Sequence, residues 1–318
     1  MALPVHPSVV ITGGSSGVGR TTAHAFAERG ARIIVAGRDI HALERAAQEC
    51  RSRGAACTTY ALDVTDPAAV DQLAQHAVKE LGSIDVWVNC AAVISFGPFE
   101  AMPVTEFHRV VATNLFGYVH GAYAALRQFR AQGGRGVLIN VSSMLGVAGE
   151  PYVSSYVATK FAIRGWSACL RQELIDVPGI RVCTVLPAAL DTPVYQRAAN
   201  HMGRRVRAIF PVYDVRRVAR VIVRLADRPR GEVVVSGFGH LISIASRIAP
   251  RLLEWMIARA GPRLQFEDQP EPDTAGALYS PENHPHMAEG GWRAYWRAKL
   301  SGSRGRKADP ASQTAERH

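Results

Sequence analysis

The sequence predicts an α/β protein: a doubly wound parallel sheet of about seven strands, followed by a C-terminal extension of helix and loop. Two observations carry this. Near the N-terminus an apolar run, Ser8–Thr12, passes directly into Gly13-Gly14-Ser15-Ser16-Gly17-Val18-Gly19 and then into a helical pattern. From there to about residue 240, short apolar runs and amphipathic helical patterns alternate. Strands followed by crossover helices are joined right-handedly into a parallel sheet covered on both faces.

Each element follows in order. The first helix is expected from about Gly17 to Arg29, closed by Gly30, with the second strand at Arg32–Ala36. A helix over Asp39–Arg53 and a strand at Cys57–Leu62 lead to Asp63-Val64; a helix over Pro67–Leu81 leads to a strand at Ile84–Asn89. One long helix, Val104–Gln132, carries Asn114 and precedes a strand at Gly136–Val141 that ends in Ser142-Ser143. A helix over Ser154–Ile175 bears Tyr156 and Lys160; the strand Arg181–Leu186 then ends in Pro187-Ala188-Ala189-Leu190-Asp191-Thr192. A helix over Asp214–Ala226 and a strand at Glu232–Ser236 complete the set.

Composition narrows the function classes. Hydrophobic residues make up 47% of the chain and no run of eighteen apolar residues occurs, which excludes an obvious membrane-spanning helix. The N-terminal residues lack the charged, apolar and cleavage regions of a signal peptide. Five scattered cysteines without a CxxC pair read as reduced thiols, so a cytoplasmic location is expected. The net charge of +10 does not form an aromatic-interleaved basic stripe, and nucleic-acid binding is not expected. His201, His284 and His286 lack metal-ligand spacing with other ligands, and no metal is expected.

The chemistry concentrates at Tyr156 and Lys160. On a helix they are an i, i+4 pair on one face. An ammonium beside a phenol stabilises the phenolate and lowers the tyrosine pKa toward working pH. Such a tyrosine hands a proton to a carbonyl oxygen or takes one from an alcohol. Only four of the 37 basic residues are lysines, so a lysine at this spacing is notable. Taken alone, the pair also fits an ordinary solvated helix face. The glycine turn, placed between strand and helix, suits a phosphate cradle, although its GxxxGxG spacing is not the GxGxxG of the common dinucleotide fingerprint. At the end of the second strand stand Gly37 and Arg38, with no carboxylate at the first position. That favours NADP(H) over NAD(H), Arg38 meeting the 2′-phosphate.

Taken together, TGGSSGVG at Thr12–Gly19, Asp63-Val64, NCAA at Asn89–Ala92, Asn114, Ser143, YVATK at Tyr156–Lys160 and PAALDT at Pro187–Thr192 resemble the classical short-chain dehydrogenase/reductase family over about residues 7–240. The resemblance implies a Rossmann-type cofactor-binding and catalytic domain over 1–240; the chain beyond it reads as an extension over 241–300 and, from its polar, basic composition, a disordered tail over 301–318. It implies that Gly13, Gly17, Val18 and Gly19 form the pyrophosphate turn and that Ser15 or Ser16 helps bind phosphate. Asp63 would meet the adenine amino group beside the Val64 backbone, and Asn89 would brace the sheet. Thr192 and the backbone near Leu190 would meet the nicotinamide carboxamide. Tyr156 would be the general acid/base, Lys160 would also bind the nicotinamide ribose, Ser143 would hydrogen-bond the substrate oxygen, and Asn114 would hold a proton-relay water. Ala92 and Ala188 stand where the family usually has glycine.

The expected function is therefore NADP(H)-dependent interconversion of a carbonyl and an alcohol on an apolar small molecule. The alternative is a catalytically weak cofactor-binding regulatory or membrane-surface protein on the same fold. The resemblance also implies a homodimer or homotetramer. Residues 193–213 are expected to form either an apolar lid or an amphipathic helix pair, with Val194, Tyr195, Met202, Ile209 and Phe210 among arginines. Residues 240–263 carry apolar residues at helical spacing with arginines between them. Packing against the pocket or a second copy is favoured there over membrane-surface contact. Residues 267–291 read as a loop wrapping the surface, pinned by Trp292, Arg293 and Trp296.

Overall fold

The computed structural model describes residues 3–281 and 286–301. The expected disordered tail beyond Ser301 and the histidine at 284 lie outside the described residues. Seven strands form one sheet: β1 (Ser8–Thr12), β2 (Arg32–Gly37), β3 (Ala56–Ala61), β4 (Val86–Asn89), β5 (Gly136–Val141), β6 (Ile180–Leu186) and β7 (Glu232–Val234). They lie in the order β7-β6-β5-β4-β1-β2-β3, all parallel. The order reverses between β1 and β4, where Ile11 stands in register with Val88. At such a switch point the carboxyl ends of the strands open a crevice for ligand.

Side-chain alternation explains the two covered faces. Val9, Ile11, Ile33, Val35, Val86 and Val88 pack with helices α1 (Gly17–Ala27), α2 (Ile40–Arg51) and α7 (Val215–Asp227) on one side. Val10, Ile34, Trp87 and Leu138 pack with α3 (Pro67–Leu81) and α5 (Gly117–Ala131) on the other, with Trp166 and Leu170 of α6 (Ser154–Glu173) against them. Helix starts are set by caps: Asp39 accepts from Ala42 N, Asp66 from Ala68 N and Ala69 N ahead of Pro67, and Asp214 from Arg216 N.

Two expectations need correction. The long helix expected over 104–132 is broken into α4 (Val104–Val111), a π turn (Ala112–Phe116) and α5. Asn114 lies in that turn, its carboxamide spanning Val93 N and Val93 O at 2.8 and 2.9 Å, which links the widened turn to the segment after β4. Such single π turns recur at functional sites. The stretch 193–213 contains no helix pair. It holds two short strands, Ala199–Asn200 and Arg204–Val206, joined by turns and irregular backbone.

The extension begins where Ser236 ends the sheet region by capping the next helix, its hydroxyl accepting from Gly239 N at 3.0 Å. Helices α8 (Gly237–Ile248) and α9 (Pro250–Gln265) break at Ala249-Pro250, where a proline suits the first turn of a new helix; α9 carries a second proline, Pro262, in its last turn. A strand at Phe266–Pro270 pairs antiparallel with Arg204–Val206. The chain then returns across the carboxyl ends of the central strands to α10 (Trp292–Leu300), whose Trp292 and Trp296 are buried. Asp191, only 3% exposed, anchors this return: its carboxylate accepts from Gly290 N, Trp292 N and Arg293 N.

Removing that acceptor strands buried amides, at about 1–3 kcal/mol each where water cannot enter. Asp191→Ala is therefore expected to lower the urea midpoint and Tm measurably. An unchanged melt would show that the return segment does not depend on this anchor.

Candidate active site

A single cleft of about 560 Å3 runs from the glycine turn, past Ser143, Tyr156 and Lys160, to an apolar end under α8 and α9. Its floor exists because two glycines allow backbone to approach backbone. A Cβ on Gly13, at φ +70°, would lie 2.7 Å from the Ala91 backbone, and one on Gly19 would lie 2.1 Å from Gly13 O. Asn89 ties the floor to the core, donating to Tyr118 O and Asn140 Oδ1 while accepting from the Trp87 indole.

Ser143 lies just beyond β5, and α6 brings Tyr156 and Lys160 beside it. Lys160 is 1% exposed, donates to Val141 O at 3.0 Å, and sits 5.1 Å from the Tyr156 ring centroid and 5.2 Å from that of Tyr118. Burial lowers its ammonium to about 8, against a smaller upward pull from Cys90. Tyr156 opens toward the cleft on one side and is otherwise enclosed. Burial pushes its phenol well above the ordinary tyrosine value, the Ser143 hydroxyl pulls it back down, and Cys90 and Glu150 raise it further. This corrects the expectation of a tyrosine lowered by the neighbouring lysine: loss of solvation dominates, and the ammonium lies against the ring and the Val141 carbonyl. The Ser143 hydroxyl accepts from Leu145 N at 3.1 Å, leaving its proton available to point elsewhere.

At the other end Ser15, Ser16, Gly17, Val18, Gly19, Arg38, Asp63 and Val64 all line the cleft, and so do Leu190 and Thr192 beyond the glycine turn. Arg38 is not free: its guanidinium donates to the carbonyls of Ala277, Leu278 and Tyr279 in the returning extension. Asp63 pairs with Arg109 at 2.5 Å and accepts from Thr65, which holds its carboxyl below the usual range despite burial. Gly17 N donates to Met287 O at 2.9 Å, Arg20 donates to His286 O, and His286 meets Asp39 at 3.2 Å. Residues 277–279 and 286–287 thus lie along the glycine turn and the end of β2.

Two cleft residues, Arg197 and Glu150, and one neighbour of the cleft, Arg109, were not assigned from sequence. Arg197 donates to Ser16 Oγ at 2.7 Å and is pushed down to about 10 by burial and then by the charge of Arg38. Two guanidiniums depressed in this way form a place where an anion would be welcome, so the residues fit a phosphate-bearing cofactor. Glu150 faces the cleft, its carboxyl raised to about 7 by burial. Arg109, on α4, reaches Asp63 and Leu278 O. The sequence offered only an arginine five positions after Thr192 as a signal for the first. Of the apolar residues expected over 193–213, Val194, Tyr195, Ile209 and Phe210 line the cleft. Met202 packs instead near Phe96 and Phe266. Tyr152 also packs near Phe266, edge-on, and Tyr195 packs edge-on against Trp292.

A parallel sheet with this strand order, a glycine turn at its switch point and a Ser–Tyr–Lys cluster across the cleft describes a dinucleotide-dependent dehydrogenase architecture. The chain belongs to the short-chain dehydrogenase family, whose model matches residues 7–203. It is 31% identical over 276 residues to the uncharacterized oxidoreductase YxnA of Bacillus subtilis, covering 85% of this chain and 77% of that protein. It is 33% identical over 258 residues to the probable oxidoreductase EphD of Mycobacterium tuberculosis, covering 77% of this chain but only 43% of EphD. Among solved structures it is similar to an alcohol dehydrogenase from the archaeon Thermococcus sibiricus complexed with 5-hydroxy-NADP. The TM-score is 0.62 at 26% identity, over 72% of this chain and 95% of that one. This chain is a short-chain dehydrogenase family oxidoreductase.

The buried lysine sets a pH dependence. Its folded pKa of about 8 lies below the ordinary value, so the unfolded chain binds the extra proton between the two. Stability of the cofactor-free protein should rise with pH from about 8 toward the ordinary lysine pKa. Urea melts across this range should show Lys160→Met gaining most over wild type at neutral pH and losing that advantage as pH rises. A constant difference would mean that the ammonium is not held at a cost.

Proposed function

We propose that this chain interconverts a carbonyl and an alcohol by hydride transfer, using NADP(H) in preference to NAD(H), with Tyr156 as general acid/base. The observation that carries the reading is the gathering of Ser143, Tyr156 and Lys160 along one cleft that is continuous with the glycine turn. A bound nicotinamide would supply or accept the hydride. In reduction, the Tyr156 O–H bond breaks as the former carbonyl oxygen gains the proton; in oxidation, the phenolate takes it back. A phenol held high keeps its proton at neutral pH, which suits it to act as an acid. Ser143 stabilises the developing negative oxygen by hydrogen bonding. Lys160 holds positive charge under the tyrosine ring and contacts the ribose. Asn114, on its π turn, positions the proton-relay water.

For the cofactor, Gly13, Ser15, Ser16, Gly17, Val18 and Gly19 take the pyrophosphate. Asp63 and Val64 take the adenine, and Leu190 with Thr192 takes the carboxamide. Support for the 2′-phosphate comes from Gly37, from Arg38 with Arg197 behind it, and from the commitment of Asp39 to the α2 cap and His286. The substrate is an apolar small molecule, because Leu145, Ile209, Phe210, Ile242, Leu253 and Ile257 line the end beyond Tyr156. A homodimer or homotetramer is further proposed, from Phe116, Tyr123 and Phe161 left exposed along the π turn, α5 and α6.

A screen of ketones, aldehydes and alcohols, followed by NADPH and NADH absorbance, tests the activity. Tyr156→Phe is expected to lower kcat by about 10²–10⁴-fold while leaving cofactor binding intact; full activity would overturn the mechanism. Arg38→Ala should weaken NADPH binding more than NADH binding. An equal loss would assign Arg38 to holding the extension rather than the phosphate.

A further inference from the structure

Helices α8 and α9 are apolar on two sides. Phe238 and Ile242 of α8, and Leu253, Met256, Ile257 and Leu264 of α9, line the cleft. A second row, Leu241, Ile244 and Ile248 followed by Leu252 and Trp255, does not line it and stands in solvent. Leu241 is 64% exposed, Ile248 79% and Trp255 58%. Eight of the twenty large exposed hydrophobic side chains among the described residues fall within these two helices, where only Gly239, Gly261 and Gln265 are buried. A surface helix of a water-soluble domain normally carries one apolar stripe and a polar opposite face. A patch this concentrated marks a surface that meets something else.

Charge says what it meets. Arg247, Arg251, Arg259 and Arg263 all lie exposed on the same two helices, against one acidic residue, Glu254. Arg251, Trp255, Arg259 and Arg263 follow one another at four-residue steps, and Arg259 lies over the Trp255 ring at 5.8 Å. Arginines with long aliphatic stems around a half-exposed tryptophan are the composition of a helix lying at a lipid headgroup boundary. A second copy of this chain would place two arginine-rich faces together, and like charges oppose that.

We infer that α8 and α9 form a docking surface for an anionic lipid bilayer, and that the cleft beneath them receives a lipid-partitioned carbonyl or alcohol directly from it. The delivery half of this statement rests on the proposed redox reading; the docking half does not. The continuity of the two apolar sides is what joins them. Phe238 and Met256 line the cleft and are also 45% and 52% exposed, so they offer a substrate leaving the acyl region an apolar way in.

Flotation of the full chain with phosphatidylcholine vesicles, with and without phosphatidylglycerol, tests the docking. Wild type is expected to float with the anionic vesicles and to lose that binding at high salt. Arg251→Glu with Arg259→Glu should cut the partition at least about 25-fold, about fivefold for each lost basic residue. Ile248→Ser with Trp255→Ser should abolish flotation while leaving Tm and turnover of a water-soluble substrate unchanged, since neither residue lines the cleft. Tyr156→Phe should float like wild type, which separates failure of docking from failure of the catalytic reading. Added anionic vesicles should raise turnover of a long-chain substrate in wild type alone. Flotation that is absent, or equal in wild type and in the α8 and α9 variants, would overturn docking. So would an oligomer, seen by sedimentation, that Ile248→Ser with Trp255→Ser dissociates without any vesicle binding. Docking without a gain in long-chain turnover would overturn delivery.

Discussion

An ammonium buried to 1% exposure must be compensated where it stands, and the geometry around Lys160 is arranged to do so. The Val141 carbonyl, at the end of β5, accepts its hydrogen bond, and the rings of Tyr118 and Tyr156 present their faces to it. The requirement propagates outward. Ser142 Oγ donates to Lys160 O and ties α6 to the strand end, and Gly146 is needed because a Cβ there would lie 2.7 Å from the same carbonyl. Tyr118 is fixed in turn by its hydroxyl donating to Val141 O at 2.9 Å. The carbonyl at the end of β5 therefore serves two donors, and that shared acceptor fixes how α5 and α6 meet over the sheet. A buried charge is a poor source of stability and a good source of geometry.

Strand-level structure was legible because the central strands are buried on both faces and read as continuous apolar runs; Ser8–Thr12 and Gly136–Val141 needed nothing beyond their own composition. The cluster at Ser143, Tyr156 and Lys160 was legible from the motifs taken together, since the one-turn spacing of Tyr156 and Lys160 fits a solvated helix face equally well. The broken helix at Asn114 was not, because the deviation depends on the Val93 backbone, twenty-one residues away in sequence. The direction of the Tyr156 shift was misjudged for a similar reason. Spacing shows which charge is near, while solvent loss depends on everything else packed around the phenol. Arg197 was hidden in a stretch read as either an apolar lid or an amphipathic helix pair, and its partner Ser16 is 181 residues distant.

The extension was legible as apolar helices, a loop and tryptophan anchors, but its destination was not. Asp191 stood within a recognised motif without a role, and the structure uses it to hold the returning chain through Gly290, Trp292 and Arg293. The motif loop beside the cleft and the far end of the chain are consequently one mechanical unit.

The return segment also occupies hydrogen-bond donors at the glycine turn and at the end of β2. Gly17 N, Arg20 and Arg38 each give a hydrogen bond to a carbonyl between Ala277 and Met287. Those carbonyls are neutral acceptors placed along the positive end of α1 and beside its guanidinium neighbours. A phosphate reaching for the same groups would enter a competition already in progress. Its apparent affinity would be its intrinsic affinity scaled by the fraction of molecules in which the donors are released. The far end of the chain thereby acts as an internal reference ligand, against which any dinucleotide must be measured.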